Sequence, residues 1–178
     1  SNDENSFRIL VDLFKKKVFN TSLSIIQNID DADDISQDVF IQIFKSINKF
    51  KGNSSLSTWV YKITISKSFE YIRYKKRKKR FSTLLKLFRE DGSIIDIPDF
   101  VHPGILLERK EDSKLLFEAI EKLNQYQKQA YILKNITGLS YKEIADVMNK
   151  TTSSIESLIF RAKRNLKKEL IKKMDNKK

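Results

Sequence analysis

The pattern that most restricts the fold of this chain lies in residues 139–170, where two short amphipathic segments follow each other. Ser140 followed three residues later by Glu143 is a capping box, and Ser153 with Glu156 predicts a second one. A short polar turn separates the two segments, so the stretch is predicted to be a helix-turn-helix. Apolar residues recur at helical spacing in both segments: Ile144, Ala145, Val147 and Met148, then Ile155, Ile159, Ala162 and Leu166.

The side of the second helix opposite these apolar residues carries hydroxyl and basic groups. They are Ser157, Arg161, Arg164 and Lys168, with Lys163 and Lys167 on the flanks. A helix with an apolar back and such a front fits the major groove of duplex DNA. The alternative is an ordinary amphipathic helix with a solvated basic face, because helix-turn-helix patterns also arise by chance.

The positive charge of the chain is concentrated in two parts. The net charge of +12 divides into −1 over residues 1–60, +9 over 61–90, −4 over 91–125 and +8 over 126–178. Two basic lobes separated by an acidic segment predict two contacts with polyanions. Only four Gly and two Pro are present, which favours long helices over a turn-rich β fold.

Several function classes are not expected from this sequence. There is no cysteine, which excludes disulfides and thiolate zinc sites. No apolar run approaches the roughly 20 residues that span a bilayer, and no signal peptide precedes the first helix, so a cytoplasmic protein not embedded in a membrane is expected. Without a Gly-rich phosphate loop or a nucleophile–base pair, neither an enzyme nor a cofactor is expected.

The order of the patterns predicts an all-α protein with two small helical domains joined by a flexible linker. Residues 1–80 are predicted to form an N-terminal helical bundle, and residues 105–178 the helix-turn-helix domain. Residues 81–104 are predicted to be the linker, because they hold both prolines and two of the four glycines.

The second predicted helix begins with four aspartates. Capping and the positive end of the helix dipole account for Asp30 and Asp31. They account less well for Asp34, Gln37 and Asp38, which share one face further along the helix. That face is predicted to be a protein-docking surface. A metal site is not expected, since the spacing matches no calcium loop and no turn glycine is present.

The third predicted helix starts near Thr58, with Ser57 or Thr58 as its cap, and runs into the basic residues 75–80. Aromatic and cationic residues lie beside its apolar stripe: Trp59, Tyr61, Lys62, Lys67, Tyr71 and Arg73. This combination suits single-stranded nucleic acid, because each base stacked on a ring contributes about 1–3 kcal/mol. Core positions for Trp59 and Tyr71 are the alternative, and β-branched residues leave a strand as the competing structure.

Taken together, these segments resemble the extracytoplasmic-function (ECF) group of bacterial RNA polymerase sigma factors. Residues 31–40 look like the region 2.2 signature of that family, and residues 58–63 are similar to its region 2.3. Residues 139–145 and 157–162 look like region 4. The resemblance implies a factor that directs core RNA polymerase to promoters, contacts the −35 and −10 elements, and leaves the chemistry to the polymerase.

The resemblance also implies roles for individual residues. Docking on the β′ clamp helices of the polymerase would involve Asp31, Asp34, Gln37 and Asp38. The β subunit of the polymerase is implied as a partner as well. Binding and melting of the −10 element would involve Asn53, Ser54, Trp59, Tyr61, Lys62, Ser66, Lys67 and Arg73, with residues 51–57 forming a pocket for a flipped base. Binding of the −35 element would involve Ser153, Ser154, Ser157, Arg161 and Arg164. An anti-sigma protein is a further implied partner, and a small-molecule substrate is not.

The sequence departs from the family pattern at a few positions. Thr64-Ile65-Ser66 replaces the usual Ala-Arg-Asn, and Glu156 stands where the family often has a basic residue. Two interpretations of Glu156 remain open: it is the capping partner of Ser153, or it accepts a hydrogen bond from cytosine N4.

Two other functions compete with this one. A transcriptional regulator acting without polymerase would use the face around Asp34 and Asp38 for self-association. A basic nucleic-acid-binding adaptor would bind RNA or acidic partners without sequence preference and without involving the Trp59 ring. The aromatic and cationic helix next to an acidic docking helix favours the sigma factor over both.

Overall fold

The computed structural model describes the backbone of residues 2–86 and 110–175, and the side chains of residues 4–78 and 114–173. Within these ranges the chain is all-α, without a strand, as predicted. The helices are α1 (Asn2–Ile26), α2 (Ile29–Ser46), α3 (Leu56–Lys86), α4 (Lys110–Glu121), α5 (Gln125–Asn135), α6 (Tyr141–Met148) and α7 (Thr152–Asp175). A 3-10 turn, Ile47–Lys49, follows α2. Helix α3 continues past residue 80, the predicted end of the first domain, and residues 87–104 of the predicted linker lie outside the described residues.

The N-terminal half is a bundle of α1, α2 and α3. Its core is apolar and takes residues from all three helices: Leu10, Phe14, Val18, Ile35, Val39, Ile43 and Val60. Asn28 caps α2 by accepting a hydrogen bond from the backbone N–H of Asp31 at 2.9 Å. These contacts hold α2 and α3 side by side, so that one exposed face of each remains available.

The predicted cap of α3 is wrong by a few residues. The Oγ of Ser55, not that of Ser57 or Thr58, accepts a hydrogen bond from the backbone N–H of Thr58 at 3.1 Å. Because the helix already begins at Leu56, Thr58 lies inside its first turn. The Thr58 hydroxyl is buried there and pairs with Ser55 Oγ at 2.9 Å.

The C-terminal half contains α4 to α7 and confirms the predicted helix-turn-helix in α6 and α7. The backbone N–H of Ser140 donates to Glu143 Oε2 at 2.8 Å, and the N–H of Glu143 donates to Ser140 Oγ at 3.3 Å, so the first capping box is present. Asn149 ends α6 in the left-handed conformation, with φ of 50°. The predicted apolar back of α7 is buried: Ile155, Ile159, Ala162 and Leu166.

The second predicted capping box, Ser153 with Glu156, is wrong. Helix α7 begins at Thr152, and the Oγ1 of Thr151 accepts from the backbone N–H of Ser154 at 3.2 Å. The left-handed Asn149 turns the chain so tightly that Thr151 already stands at the cap position. Ser153 and Glu156 are therefore exposed residues inside the helix.

The two halves share one apolar core. Tyr61, Ile65 and Phe69 of α3 and Ile25 of α1 belong to the same buried cluster as Phe117 and the apolar residues of α5 to α7. Burial of this kind contributes about 25 cal/mol for each Å² of apolar surface removed from water. The described parts of the two halves are thus packed against each other.

Polar contacts accompany this packing at the end of α1. The Lys128 ammonium, whose side chain is only 5% exposed, donates to the Ile25 carbonyl at 2.8 Å and pairs with Glu121. The Gln27 amide donates to Glu121 Oε1 at 2.9 Å. Lys128 itself is buried, whereas Glu121 is 45% exposed. Separating the halves therefore exposes the Lys128 ammonium to water and breaks its bond to the Ile25 carbonyl.

Candidate nucleic-acid interface

The acidic face predicted on α2 is exposed over Asp34, Gln37 and Asp38. Gln37 donates to Asp33 Oδ2 at 3.0 Å, so the face carries a small hydrogen-bonded polar patch. Ile41, one turn further along the same face, is exposed as well and adds an apolar group. A surface that combines exposed carboxylates with an apolar residue is chemically suited to a basic protein partner.

Asp31 does not belong to this exposed face. Its carboxylate pairs with Lys75 of α3, and the Tyr71 hydroxyl interacts with the same carboxylate. Burial alone would raise the pKa of Asp31, but hydrogen bonds from Lys75 and Tyr71 outweigh burial and hold the pKa below its usual value. The Lys75 ammonium also lies 5.4 Å from the centre of the Tyr71 ring. These three side chains connect α2 to α3.

The residues around the start of α3 lie together, next to the loop at residues 51–57. The rings of Trp59 and Phe50 are 5.1 Å apart at an angle of 38°, and Trp59 is partly buried against the N-terminal core. Asn53 is exposed and Ser54 half-buried in the adjacent loop, which turns at Gly52 with φ of +71°. The structure therefore gives Trp59 both core contacts and a loop of small polar residues beside it.

The residues of α3 that are predicted to contact the −10 element further along the helix differ in their exposure. Arg73 is exposed and Lys67 half-buried. The exposed Ser66 hydroxyl donates to Glu70 Oε1 at 2.9 Å. Arg73, and in part Lys67, can therefore contact a nucleic-acid strand. The Ser66 hydroxyl is already bonded to Glu70.

Tyr61 and Lys62 face the C-terminal half. Tyr61 is 5% exposed within the shared core, and burial followed by the charge of Glu143 raises the pKa of its hydroxyl. The Lys62 ammonium donates to Asn149 Oδ1 at 3.3 Å. In this arrangement the ring of Tyr61 has no free face on which a base could stack.

The residues predicted to face the −35 element lie on the exposed side of α7. Ser153, Ser157, Arg161 and Arg164 are exposed, and Ser154 is partly so. The Nε of Arg161 donates to the backbone carbonyl of Ser157 at 3.1 Å, which leaves its terminal guanidinium nitrogens free of that bond. Arginine in this setting can pair with guanine O6 and N7 through two hydrogen bonds.

Phe160 was missed among the candidate residues. Its ring lies on the same face as Ser157 and Arg161, and a shallow hollow lined by Glu156, Ser157, Phe160 and Arg161 opens there. A signal for it was present in the sequence, because position 160 is three residues after Ser157 and four before Arg164.

Two further observations concern only the described part of the chain. No group of three or more histidine, aspartate or glutamate side chains is placed there to hold a metal ion. None of the described helices combines the length and apolar character needed to cross a membrane.

Comparison with known proteins matches both halves to one family. Residues 10–78 match the family model described as sigma-70 region 2, and residues 113–166 match sigma-70, region 4. The chain belongs to the sigma-70 family of RNA polymerase sigma factors. It therefore directs RNA polymerase to promoters. The match of both halves to one family favours this function over the transcriptional regulator and the nucleic-acid-binding adaptor.

Relatives within the family point to the ECF group. The chain is 27% identical over 172 residues to the RNA polymerase sigma-H factor of Pseudomonas aeruginosa, covering 94% of this chain and 88% of the relative. It is 28% identical over 165 residues to the ECF RNA polymerase sigma-E factor of Escherichia coli, covering 90% of this chain and 84% of that protein. The sigma factor is therefore of the ECF type.

Two solved structures share the fold. The sigma factor RpoE of Bartonella quintana, solved in complex with the anti-sigma factor NepR, has a TM-score of 0.70 at 22% identity and covers 93% of this chain and 96% of its own. CnrH, solved in complex with the cytosolic domain of CnrY, has a TM-score of 0.65 at 20% identity over 94% and 88% of the two chains. At these identities the likeness concerns the fold alone, and it agrees with the all-α organisation.

Proposed function

We propose that this sigma factor uses three faces, one to dock on polymerase and two to bind promoter DNA. The α2 face holding Asp34, Gln37 and Asp38 docks on the β′ clamp helices of core polymerase. Helix α3 binds the −10 strand, and α7 reads the −35 element. The observation that carries this proposal most is α7, where every residue of the apolar back is buried while Ser157, Arg161 and Arg164 are exposed.

The −10 element is captured as single strand. Opening a duplex costs about 1.4 kcal/mol for each stacked step, and stacking on protein rings with cations along the backbone offsets that cost. Trp59, next to the loop of Asn53 and Ser54, supplies a ring, and Arg73 supplies an exposed cation. A flipped base bound in the loop reads sequence that duplex contacts do not reach.

Full use of α3 requires the two halves to separate. Tyr61 is buried in the shared core, and Lys62 is bonded to Asn149 of the C-terminal half. Both become available to the strand only when α6 moves away from α3. We therefore infer that polymerase binding, which holds the two halves on separate promoter elements, replaces the closed packing by contacts with DNA.

The same proposal covers the chemistry, the location and a further partner of this sigma factor. The chain makes and breaks no bond itself and needs no cofactor, because the polymerase carries out the chemistry. It acts in the cytoplasm, where its polymerase and DNA partners are. Both solved relatives named above were determined in complexes with other proteins, one of them described as an anti-sigma factor, which supports an anti-sigma partner for this chain.

Promoter opening by reconstituted polymerase tests the proposal. The protein is added to sigma-free bacterial core polymerase on a genomic promoter library, and unpaired thymines and run-off transcripts are mapped. The expected result is a set of bubbles that share an upstream element. Asp34→Lys with Asp38→Lys is expected to abolish them by preventing docking, and Trp59→Leu to reduce opening while retaining binding of the upstream element.

Asp12→Lys is the matched control for charge reversal, since Asp12 is an exposed aspartate on α1 and lies outside the α2 face. It is expected to leave opening unchanged. Duplex binding that is indifferent to polymerase, with no bubble on any template, would contradict the proposal. Full opening by the Asp34→Lys/Asp38→Lys protein would contradict the docking assignment alone.

A further inference from the structure

The face of α7 that reads DNA carries an apolar ring that the fold itself does not use. Phe160 is 69% exposed, more than any other large apolar side chain in the described part of the protein. The apolar back of the helix is complete without it, since Ile155, Ile159 and Ala162 are fully or almost fully buried. Single exposed apolar residues are common on protein surfaces, so exposure alone assigns Phe160 no role.

A second observation concerns Glu156, which lies one turn before Phe160. The structure excludes its capping role, because Thr151 caps α7. Glu156 is exposed and makes no hydrogen bond or ion pair with another described side chain. A carboxylate on a helix face that otherwise carries Arg161 and Arg164 is repelled by DNA phosphates, so a favourable role there requires a hydrogen-bond donor on the DNA.

The chemistry of base edges provides partners for both side chains. In the major groove a carboxylate accepts a hydrogen bond from cytosine N4, and an apolar side chain packs on the thymine methyl group. Side chains four residues apart on a helix have Cβ atoms about 5–6 Å apart, and successive bases along a strand are about 3.4 Å apart. Glu156 and Phe160 therefore reach bases that are neighbours or two steps apart along the strand.

We propose that Glu156 and Phe160 determine the −35 sequence preference of this factor, Glu156 by selecting cytosine and Phe160 by selecting thymine. Arg161, next to Phe160 in the same hollow, pairs with guanine. The inference rests on the proposed role of α7 and goes beyond it, since it states which base each of two side chains selects. It applies to positions in the upstream element that lie within two base steps of each other.

Deoxyuridine, which lacks the thymine methyl group, tests Phe160 directly. Each −35 thymine of a promoter that the wild-type holoenzyme recognises is replaced singly by deoxyuridine, and binding of wild type and Phe160→Ala is measured. At one position wild type is expected to lose about fourfold, the effect of one methyl group removed from water. Phe160→Ala is expected to lose a similar factor on the thymine template and nothing further with deoxyuridine.

Base selection at the neighbouring positions tests Glu156. Wild type is expected to prefer cytosine by roughly fivefold or more at one position. Glu156→Ala is expected to lose that preference while keeping affinity for the other bases. Both residues are exposed, so neither variant is expected to lower the melting temperature. Ile171→Ala, at a 47% exposed position near the end of α7, is the matched control for Phe160→Ala and is expected to bind every template as wild type does.

The outcomes separate this inference from the proposed function. If wild-type holoenzyme opens promoters but deoxyuridine affects wild type and Phe160→Ala equally at every position, Phe160 does not contact a thymine methyl group. If Phe160→Ala loses transcription with unchanged −35 binding, the ring contacts a protein instead, and the inference fails. If cytosine preference survives Glu156→Ala, the Glu156 assignment fails. If wild type opens no promoter at all, the proposed function fails first.

Discussion

The two helices proposed to bind DNA, α3 and α7, differ in how accessible they are in the same structure. On α7 the serines and arginines proposed to contact the −35 element are exposed or partly so, and the helix is oriented by a buried apolar back. On α3, Tyr61 is buried against the C-terminal half and Lys62 is bonded to Asn149. The −35 face is thus accessible in the packed arrangement, and the −10 face is only partly so.

This difference has a chemical origin. The serines and arginines proposed to contact the duplex on α7 carry hydroxyl and cationic groups, which remain stable in water until DNA arrives. Rings and apolar side chains that stack on unpaired bases become buried when an apolar surface is available to pack against. In this protein that partner is the other half of the same chain, and Ile65, at a position where the family usually has arginine, is part of the contact.

Locking the halves together tests the comparison most severely. Gln27→Cys with Glu121→Cys places thiols where the two side chains are hydrogen-bonded, and the natural chain has no cysteine to interfere. Joined by a cleavable bis-maleimide, the protein is expected to open promoters roughly 5- to 150-fold less, because stacking of a base on the Tyr61 ring, about 1–3 kcal/mol, is withheld. Binding of a −35 duplex, followed by fluorescence anisotropy, is expected to remain within about twofold.

Cleavage of the linker supplies the reversal control and is expected to restore opening. Asp12→Cys with Lys15→Cys, a pair within α1, controls for the chemistry of the cross-link. Full promoter opening by the locked protein would show that closure does not restrict α3, and the comparison would then be wrong.

Opening the halves is the converse test. Ile65→Arg puts a charge into the shared core, where Ile65 is 7% exposed. Losing the burial of this side chain, about 1.5–3 kcal/mol, is expected to shift the equilibrium from packed to separated halves by roughly 10- to 100-fold. Energy transfer between dyes on the two halves measures the shift. Ser66→Arg, at the exposed neighbouring position, is expected to leave the distance unchanged, and an unchanged distance in Ile65→Arg would contradict the role of this contact.

Arg161→Ala tests whether α7 is accessible while the halves are packed together. Since Arg161 is already exposed, its loss is expected to weaken −35 binding by roughly 5- to 100-fold in both the locked and the unlocked protein. Binding isotherms on a −35 duplex at a fixed salt concentration measure the effect. Lys172→Ala, an exposed cation near the end of α7, is the control. A defect seen only in the unlocked protein would mean that the packed arrangement hides α7 after all.

The smallest effect is expected at the connection between α2 and α3. The pKa of Asp31 is lowered in the fold, so its contribution to stability is present at neutral pH and is lost as the pH falls through the lowered pKa, below the usual 3.8. Asp31→Asn is expected to reduce the free energy of unfolding at pH 7 by at most about 1 kcal/mol, since Lys75 is largely exposed. Urea denaturation should show the two proteins converging toward pH 3, and a constant difference would contradict the assignment.

Local signals in the sequence predicted much of this fold, because they act within a few residues. The capping box of Ser140 and Glu143 is present as predicted. The box of Ser153 and Glu156 failed, because the same signal competed with Thr151, which the tight turn at Asn149 brings to the cap position. The predicted domain bounds at 80 and 104 stay predictions.

The packing of the two halves was not predictable from such signals. In the sequence, Tyr61 and Ile65 are a ring and an apolar residue on an amphipathic helix. Nothing local indicates that they pack against Phe117 and the apolar residues of α5 to α7, which are distant along the chain. For the same reason Tyr61 is predicted from the sequence to face DNA, whereas the structure buries it in the shared core. Phe160 is different: it was missed, although its spacing from Ser157 and Arg164 is a local signal that puts it on the exposed face of α7.

The packing of α3 against the C-terminal half has a consequence for how strongly different promoters are used. If only the separated form receives the −10 strand, the apparent affinity for that strand is the intrinsic affinity multiplied by the separated fraction. That fraction is a property of the protein, so it scales the occupancy of all promoters by the same factor at low concentration. Changes in the side chains around Ile65 and Lys128 would therefore adjust the output of a whole regulon together, without a change in any promoter sequence.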